Sequence, residues 1–363
     1  MTRLIVVGPL PPPYHGVTIS TDLVLHNAFL RNRFDVEHLD TSDHRANRNV
    51  GRWDTTNIIV ALRSLRVLRG MLTGPGGVVY LPISQSAPGF LRDSLYINLA
   101  ARRGWKVAVH LRGSDFRSFY RESPWPLQRW IRRTMRRVSS AAVMGSSLRW
   151  VFEGLMPDNH VAVVSNGTPE PSVNGGRRKA NTVLFLSNLR RRKGVSEAVD
   201  AALLVLDERP DTRFLFVGEW EDESLERELR DRVATANGRI TFASGAVGRE
   251  KDVLLASSAV LLFPPSEPEG HPRVVLEGLA AGLPVVATDR GAIAETIVDG
   301  ESGFVLDQPV PEQLAERLIR LLSDDDLRER MGEAARRRYL EGFTQTTVDR
   351  SLAEWLTGVA ERP

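Results

Sequence analysis

Short apolar runs, rich in β-branched residues, alternate with stretches of helical period along the whole chain. Apolar residues that recur every three or four positions predict helices, and short uninterrupted apolar runs predict buried strands. The predicted strands of the first half are Leu4–Val7, Val78–Leu81, Val107–Leu111 and Val161–Val164. The predicted helices between them are Thr18–Leu30, Asn57–Leu72, Leu91–Arg102 and Trp125–Val138. The predicted strands of the second half are Val183–Leu186, Phe214–Val217, Val260–Phe263 and Val285–Ala287.

Buried strands that alternate with helices indicate an α/β protein with parallel sheets covered on both faces. A chain of 363 residues is too long for one core, so two domains are expected. The segment Thr168–Asn181 is rich in Gly, Pro, Ser and Asn without an apolar period, which indicates a linker. We therefore predict one domain over residues 1–167 and another over 168–342. The amphipathic segment 343–363 either belongs to the second domain or packs back on the first.

The composition is that of a soluble globular protein, with 42% hydrophobic and 26% charged residues. The chain contains no cysteine, which excludes disulfides and thiolate chemistry and fits a reducing compartment. The first apolar run, Leu4–Val7, is too short for the core of a signal peptide. No run approaches the roughly 18 apolar residues of a membrane span. These features predict a cytoplasmic location.

Charge is distributed unevenly along the chain. Residues 1–165 carry 22 Lys and Arg against 11 Asp and Glu, whereas the remaining residues carry 26 against 34. A basic first half suggests an anionic partner such as a membrane surface, a phosphorylated acceptor or a nucleic acid. An arginine-rich composition without any such partner explains the numbers equally well.

Several common site signatures do not occur in the sequence. No GxxxxGK[ST] motif is present, and no GxGxxG follows the first strand, so a P-loop ATPase and a simple dehydrogenase are disfavoured. The seven histidines are scattered and no HExxH motif occurs, so the sequence predicts no metal site.

The most informative stretch is the loop and helix that follow the strand ending at Phe263. Glu269, Gly270, His271 and Pro272 come before a helical stretch, and Glu277 follows eight residues after Glu269. A helix N-terminus offers backbone N–H groups and a partial positive charge, which suit a diphosphate. The two carboxylates can accept hydrogen bonds from sugar and ribose hydroxyls. A capped helix with two solvated glutamates is the alternative interpretation.

This stretch resembles the E-x7-E signature of the retaining glycosyltransferases of family 4, which have the GT-B fold. The family pattern is roughly PS-x-x-EGFG-x-x-x-LEAMA-x-G-x-PVVAT, and this chain reads PSEPEGHPRVVLEGLAAGLPVVAT from Pro265 to Thr288. The resemblance covers roughly residues 161–345 and is weaker before that. It implies two Rossmann-like domains facing across a cleft, with the nucleotide sugar bound by the second.

The resemblance also implies individual site residues. Lys193 falls on the lysine that contacts the donor diphosphate, whereas the family's arginine five residues earlier is replaced by Asn188. Arg190, Arg191 or Arg192 can substitute for that arginine, and the sequence leaves the choice open. Lys193 and Glu269 are the expected catalytic residues of this domain. The expected donor-binding residues are Gly16, Asn188, Arg192, Gly218, Gly245, Gly270, His271, Pro272, Arg273, Val274 and Glu277.

In the first domain, Gly16 corresponds to the glycine-rich loop that approaches the phosphates in the family. A rigid proline-rich turn is the alternative, since the segment reads GPLPPPYHG. The segment from Val109 to Phe116 is similar to the family's HGSDF-like strand end, whose histidine lies near the transferred sugar. Arg112 occupies the register of that histidine, and His110 lies two residues earlier on the same strand face. Either His110 serves in this role, or Arg112 replaces it with a permanent cation.

The implied activity is transfer of a hexose-type sugar, with retention, from a UDP- or GDP-sugar to a glycan or lipid-linked acceptor. The resemblance implies no cofactor and no metal, because cations and a helix dipole stabilise the leaving diphosphate. A product in cell-surface polysaccharide or glycoconjugate synthesis follows from the acceptor class. A catalytically weak or inactive nucleotide-sugar-binding protein is the alternative. A nucleic-acid-binding protein leaves the Glu269 and Glu277 stretch unexplained.

The segment 125–138 reads WPLQRWIRRTMRRV and predicts an amphipathic helix with a basic face. Such a helix can lie on an anionic membrane, which predicts a peripheral location at the inner face of the cell membrane. The alternative is an ordinary surface helix that packs its apolar face on the sheet.

Overall fold

A computed structural model describes residues 1–12, 16–42, 55–173 and 181–362, which divide into two compact units. Unit 1 comprises Met1–Ser165 and Thr346–Pro363, and unit 2 comprises Asn166–Gln345. Part of the predicted linker, residues 174–180, lies outside the described residues. The linker prediction begins too early, because Thr168 is buried and pairs with Thr344 in unit 2.

Unit 1 contains a six-stranded parallel sheet in the order β2-β1-β3-β4-β5-β6. Its strands are β1 (Thr2–Gly8), β2 (Phe34–Asp40), β3 (Gly77–Pro82), β4 (Lys106–His110), β5 (Ser140–Val143) and β6 (Val161–Val163). Its first helices are α1 (Gly16–His26), α2 (Ala28–Arg31), α3 (Thr55–Met71), α4 (Ala87–Arg102), α5 (Phe116–Glu122) and α6 (Trp125–Met135). Alternate residues of β1 enter two different clusters, Leu4 and Val6 in one and Ile5 and Val7 in the other. The sheet therefore has an apolar core on each face.

Unit 2 contains a second six-stranded parallel sheet, in the order β12-β11-β10-β7-β8-β9. Its strands are β7 (Thr182–Leu186), β8 (Arg213–Val217), β9 (Ile240–Ala243), β10 (Val260–Phe263), β11 (Val285–Thr288) and β12 (Gly303–Leu306). Its helices are α7 (Val195–Glu208), α8 (Glu223–Arg232), α9 (Arg249–Ser257), α10 (Arg273–Ala280), α11 (Ile293–Thr296), α12 (Pro311–Ser323) and α13 (Asp325–Gly342). Counted from β7, this is the strand order of the Rossmann fold. The prediction of an α/β protein with two Rossmann-like domains is confirmed.

The last helix, α14 (Gln345–Glu361), supplies part of the core of unit 1. Leu352, Ala353, Leu356 and Val359 are buried in the cluster that also contains Leu4 of β1. Beside them, the Trp355 indole N–H donates to the Ser140 hydroxyl over 2.9 Å. Among the described residues, no helix is both long enough and apolar enough to span a bilayer.

Candidate active site

The centre of the sheet in unit 2 brings two loops together. Strands β7 and β10 are hydrogen-bonded neighbours although they are not consecutive in the chain. After β9, the chain returns to the centre of the sheet and adds β10 on the other side of β7. The loops that leave their carboxyl ends are residues 187–194 and 264–272. In open α/β sheets, ligands bind outside the carboxyl ends of the strands at this kind of position.

Backbone contacts fasten the two loops to each other. The Arg192 carbonyl accepts hydrogen bonds from the N–H groups of Ser266 and Glu267, at 3.2 and 3.4 Å. The Ser266 hydroxyl donates to the Arg191 carbonyl over 3.3 Å. The side chains on both loops are therefore held at one edge of the sheet.

Lys193 and Glu269, both predicted as catalytic, form an ion pair between these loops. The Lys193 Nζ lies 2.5 Å from the Glu269 Oε1, and the side chains are only 22% and 10% exposed. The ammonium also lies 5.7 Å from the centroid of the Phe263 ring. An ion pair sheltered from water interacts more strongly than one on the surface. The structure thus places a cation and a carboxylate in contact with each other. A polar ligand can replace this contact by bonding to both groups.

Helix α10 starts directly after the Glu269 loop. Pro272 is its N-cap residue with an extended backbone, and this residue makes no side-chain capping hydrogen bond. Gly270 and Pro272 are buried, whereas Arg273 and Val274 in the first turn are half-buried. Because the first N–H groups of a helix have no intrahelical acceptors and carry partial positive charge, this end suits an anion. The predicted helix start and the predicted carboxylate therefore adjoin in the structure.

The His271 side chain holds the loop in place within unit 2. Its Nδ1 accepts a hydrogen bond from the Asn166 backbone N–H over 3.1 Å, and the Asn166 side-chain amide donates to the His271 carbonyl. The Thr296 hydroxyl donates to the Ala292 carbonyl, so the His271 Nε2–H must donate to Thr296, 2.8 Å away. Burial, and secondarily the charge of Arg273, lowers the pKa of His271 to about 3. The ring is a neutral part of the scaffold with both nitrogens hydrogen-bonded, and the donor contact of His271 stays a prediction.

The Arg273 side chain is directed to the same segment of chain. Its Nη1 donates to the Gly167 carbonyl over 2.8 Å. Together with the Asn166 contacts of His271, this bond ties the start of α10 to the first residues of unit 2. Sequence reasoning placed Arg273 among the donor-binding residues and did not foresee this anchoring contact.

Glu277 lies on α10 and forms an ion pair that the sequence did not suggest. Its Oε1 lies 2.7 Å from the Nζ of Lys251 on α9, and both side chains are mostly buried. The two residues are 26 positions apart, and only the packing of α9 beside α10 reveals the contact. A ribose that hydrogen-bonds to Glu277 must share this carboxylate with Lys251 or displace it.

The remaining predicted positions of unit 2 lie on the neighbouring loops. Gly218 follows β8 and lies against the loop of residues 187–194. A Cβ at Gly218 would lie 1.8 Å from the Ser187 carbonyl oxygen. Gly245 follows β9, and its N–H donates to the carboxylate of Glu219 over 3.0 Å. Asn188 is exposed in the loop after β7. The loops after β7, β8, β9 and β10 therefore carry the predicted donor-binding residues along one edge of the sheet.

The family of this domain follows from a comparison with known proteins. Residues 169–338 match the family model described as glycosyl transferases group 1. Unit 2 is a group 1 glycosyltransferase domain. The match covers the strands, loops and helices that carry Lys193, Glu269 and Glu277.

Individual relatives share this half of the chain. The spore coat protein SA of Bacillus subtilis (strain 168) is 31% identical over 176 residues, which cover 47% of this chain and 47% of that protein. A phosphatidyl-myo-inositol mannosyltransferase of Mycobacterium tuberculosis (strain H37Rv) is 32% identical over 216 residues, 56% of either chain. The chain thus matches about half the length of these relatives.

Solved structures extend the likeness to the whole chain. A glycosyltransferase from Rickettsia africae ESF-5 superimposes with a TM-score of 0.79 at 16% identity, covering 100% of this chain and 99% of that one. Anabaena HepE in complex with UDP and glucose gives a TM-score of 0.76 at 14% identity, covering 99% and 100%. At such identities the likeness shows the fold, which is that of the GT-B glycosyltransferases.

Outside the group 1 domain, unit 1 resolves the two roles considered for His110. The ring is fully buried: its Nε2–H donates to the Val164 carbonyl over 3.1 Å, and its Nδ1 lies 3.2 Å from the Tyr80 hydroxyl. Burial, followed by the charge of Arg112, keeps the pKa of His110 well below its usual value. His110 is therefore a neutral internal group rather than a side chain available to a ligand, which corrects its prediction as a catalytic residue.

Arg112 also belongs to this buried network. Its Nη2 donates to the Tyr80 hydroxyl over 2.9 Å, and that hydroxyl can in turn donate to His110. The side chain of Arg112 is half-buried just beyond β4. Unlike His110, Arg112 keeps a partly exposed side chain, and its role in place of the family histidine stays a prediction.

The other predicted features of unit 1 give a mixed outcome. Gly16 begins α1, residues 13–15 before it lie outside the described part, and a Cβ at Gly16 would have no heavy atom within 4 Å. Its role stays a prediction.

In α6, Ile131 and Met135 are buried in the core and Leu127 and Trp130 pack against it. The apolar face of α6 therefore packs inside the unit, as the surface-helix alternative stated.

The described residues contain no group of three or more His, Cys, Asp or Glu side chains placed to hold a metal ion.

Proposed function

We propose that the chain is a retaining glycosyltransferase that moves a hexose-type sugar from a UDP- or GDP-sugar to a glycan or lipid-linked acceptor. The observation that carries this proposal is the sheltered Lys193–Glu269 pair beside the start of α10, at the switch point of a group 1 domain. HepE of the same fold binds UDP and glucose, and one relative is a mannosyltransferase. The family 4 signature of the sequence supports the retaining class.

The chemistry assigned to these residues is stabilisation of a leaving diphosphate. The bond between the anomeric carbon and the diphosphate oxygen breaks, and the acceptor oxygen bonds to the same face of that carbon. The acceptor proton passes to the departing diphosphate oxygen. Lys193 and the first N–H groups of α10 stabilise the charge that develops there, which lowers the barrier only if they are held in place beforehand. Glu269 accepts hydrogen bonds from sugar hydroxyls, and Glu277 accepts them from the ribose.

Because Lys193 and the helix N-terminus supply the positive charge, we expect donor binding without any added divalent metal. Thermal unfolding should be followed with UDP, GDP, ADP, CMP and their sugar conjugates, first without metal and then with it. A ligand at 100 times its dissociation constant adds about 2.7 kcal/mol of stability. In a domain of this size that corresponds to a shift of roughly 5–10 °C.

Glu277→Gln provides the matched variant for this experiment. It preserves the shape of the side chain but removes the charged acceptor, so nucleotide affinity should fall by about tenfold, since a hydrogen bond to a charged group contributes roughly 1.5–3 kcal/mol. A panel in which no nucleotide shifts the wild type would overturn the donor site. Donor binding with neither transfer nor donor hydrolysis would favour the nucleotide-sugar-binding alternative. The anomeric configuration of the product, read by NMR, decides retention.

We extend the proposal to a peripheral location at the inner face of the cell membrane. Arg129, Arg132 and Arg133 are exposed on α6, as is Arg136 directly after it, and Trp125 at its start is 66% exposed. Each arginine near an anionic leaflet contributes roughly 1 kcal/mol of attraction. Flotation with vesicles should show binding that requires anionic lipid and is lost at high salt. Equal binding to neutral vesicles, or none to either, would contradict this location.

A further inference from the structure

The diphosphate site of the proposed function has one cation fewer than its family pattern. Lys193 is in place, but position 188, where the resemblance implies an arginine, holds an asparagine. Asn188 is exposed, and its carbonyl accepts the Arg190 N–H over 2.9 Å. A nucleoside diphosphate carries more negative charge than one ammonium and a helix N-terminus offset, so a second cation is expected within reach.

Three arginines follow Asn188, and their contacts separate them. Arg191 is committed to α8: its guanidinium forms an ion pair with Glu228, with Nη2 2.5 Å from Oε2. Its backbone N–H also donates to the carboxylate of Glu221. Arg190 is exposed, and within the described ranges its guanidinium makes no hydrogen bond or ion pair. Neither side chain is tied to the loop that carries Glu269.

Arg192 lies against that loop. Its backbone carbonyl accepts the N–H groups of Ser266 and Glu267, so the residue is fixed beside it. Its Nη2 lies 3.5 Å from the Pro268 carbonyl, and its Nε lies 3.8 Å from the Glu267 carboxylate. The adjacent cations Arg192 and Lys193 therefore contact three consecutive loop residues, 267–269.

The contacts of the Arg192 guanidinium are weak. Both distances lie at the upper limit for their kind, and the pair with Glu267 is largely exposed, at 39% and 60% of the two side chains. The Nε is shielded from solvent yet has no hydrogen-bond partner among the residues that the structure describes. A buried donor without a partner is unfavourable, and an anionic oxygen would satisfy it.

We propose that Arg192 replaces the arginine missing at position 188 and binds the donor diphosphate together with Lys193. The inference rests on the proposed function and specifies which cation completes its site. Arg192 lies beside Glu267, and the diphosphate draws it from that weak pair. A planar guanidinium can donate two parallel hydrogen bonds to one phosphate, which the lysine ammonium cannot.

Arg192→Gln tests this assignment, with Arg191→Gln as the matched control on the adjacent residue. Calorimetry should compare the nucleoside diphosphate that stabilises the wild type with the monophosphate of the same base. We expect Arg192→Gln to weaken the diphosphate about 10- to 30-fold and the monophosphate much less. Arg191→Gln should leave both within about twofold of wild type. Unfolding without ligand confirms that each variant is folded.

Restoring the family arginine supplies a test that a merely structural role would fail. In the Arg192→Gln background, Asn188→Arg should recover most of the lost diphosphate affinity. Unchanged diphosphate binding in Arg192→Gln, an equal loss for both nucleotides, or an equal loss in Arg191→Gln would each overturn the assignment. In those outcomes the wild type still binds the diphosphate, so the proposed function stands. A wild type that binds no nucleoside diphosphate overturns both.

Discussion

Lys193→Ala should reduce turnover by about 10²- to 10³-fold, the usual loss when one group that stabilises transition-state charge is removed. Donor affinity should fall by less, because the negative charge on the departing diphosphate is greatest in the transition state. The structure adds a second reason for a large effect. In the alanine variant, the Glu269 carboxylate would stay largely buried but would lose the ammonium that lies 2.5 Å away.

Turnover and donor affinity must be measured separately for Lys193→Ala, by initial rates at saturating donor and by titration. Lys193→Arg is the matched control, because it keeps the positive charge while changing the shape of the donor group. It should retain more activity than the alanine variant. Wild-type turnover in Lys193→Ala would refute the catalytic assignment of this lysine. A loss of donor affinity with unchanged turnover would mean that Lys193 stabilises the bound donor and the transition state equally.

Gly291→Ala is expected to destabilise unit 2 strongly. Gly291 has a φ of +63°, and an added Cβ would lie 1.9 Å from the Glu269 carbonyl oxygen and 2.5 Å from that of Gly270. Relief of this clash requires the Glu269 loop to move as a whole, because both obstacles are backbone atoms. We expect a loss of about 3 kcal/mol or more, on the scale of overpacking and backbone strain together.

Thermal unfolding of Gly291→Ala should therefore show a decrease of roughly 6–12 °C, with a matching loss of nucleotide binding. Gly300→Ala is the control, since Gly300 has a similar φ of +75° but no heavy atom within 4 Å of the added Cβ. It should cost about 1–2 kcal/mol, the strain of the left-handed region alone. Equal unfolding temperatures for the two variants would show that the Glu269 loop moves away from the added Cβ at no cost in stability.

The apolar pattern located the central strands of both sheets because these strands are buried on both faces. The runs that became β1, β3, β7 and β10 are nearly continuous apolar segments. The edge strands β2, β9 and β12 were missed, whereas β6, also at an edge, was predicted as Val161–Val164. β2 buries only Phe34 and Leu39, and β9 buries only Ile240, so neither forms an apolar run. β5, with the sequence SAAV, is buried but composed of small residues that carry little hydrophobic signal.

The site shows a similar division. The sequence singles out Lys193, Glu269 and Glu277 because each belongs to a motif that is contiguous in sequence, and their roles stay predictions. Contacts between distant residues could not be predicted. The contacts of Glu277 with Lys251 and of Tyr80 with His110 join residues 26 and 30 positions apart. Such pairs depend on which strands and helices become neighbours, and periodicity contains no information on that order.

Helix α14 also constrains the order in which the chain can fold during synthesis. Unit 1 is discontinuous: its first 165 residues leave the ribosome early, but Leu352 and Leu356 of its core are made after all of unit 2. Domains generally fold as units from the N-terminus during translation. Here the continuous unit 2 can complete its core first, while the nascent unit 1 exposes the apolar surface that α14 later covers.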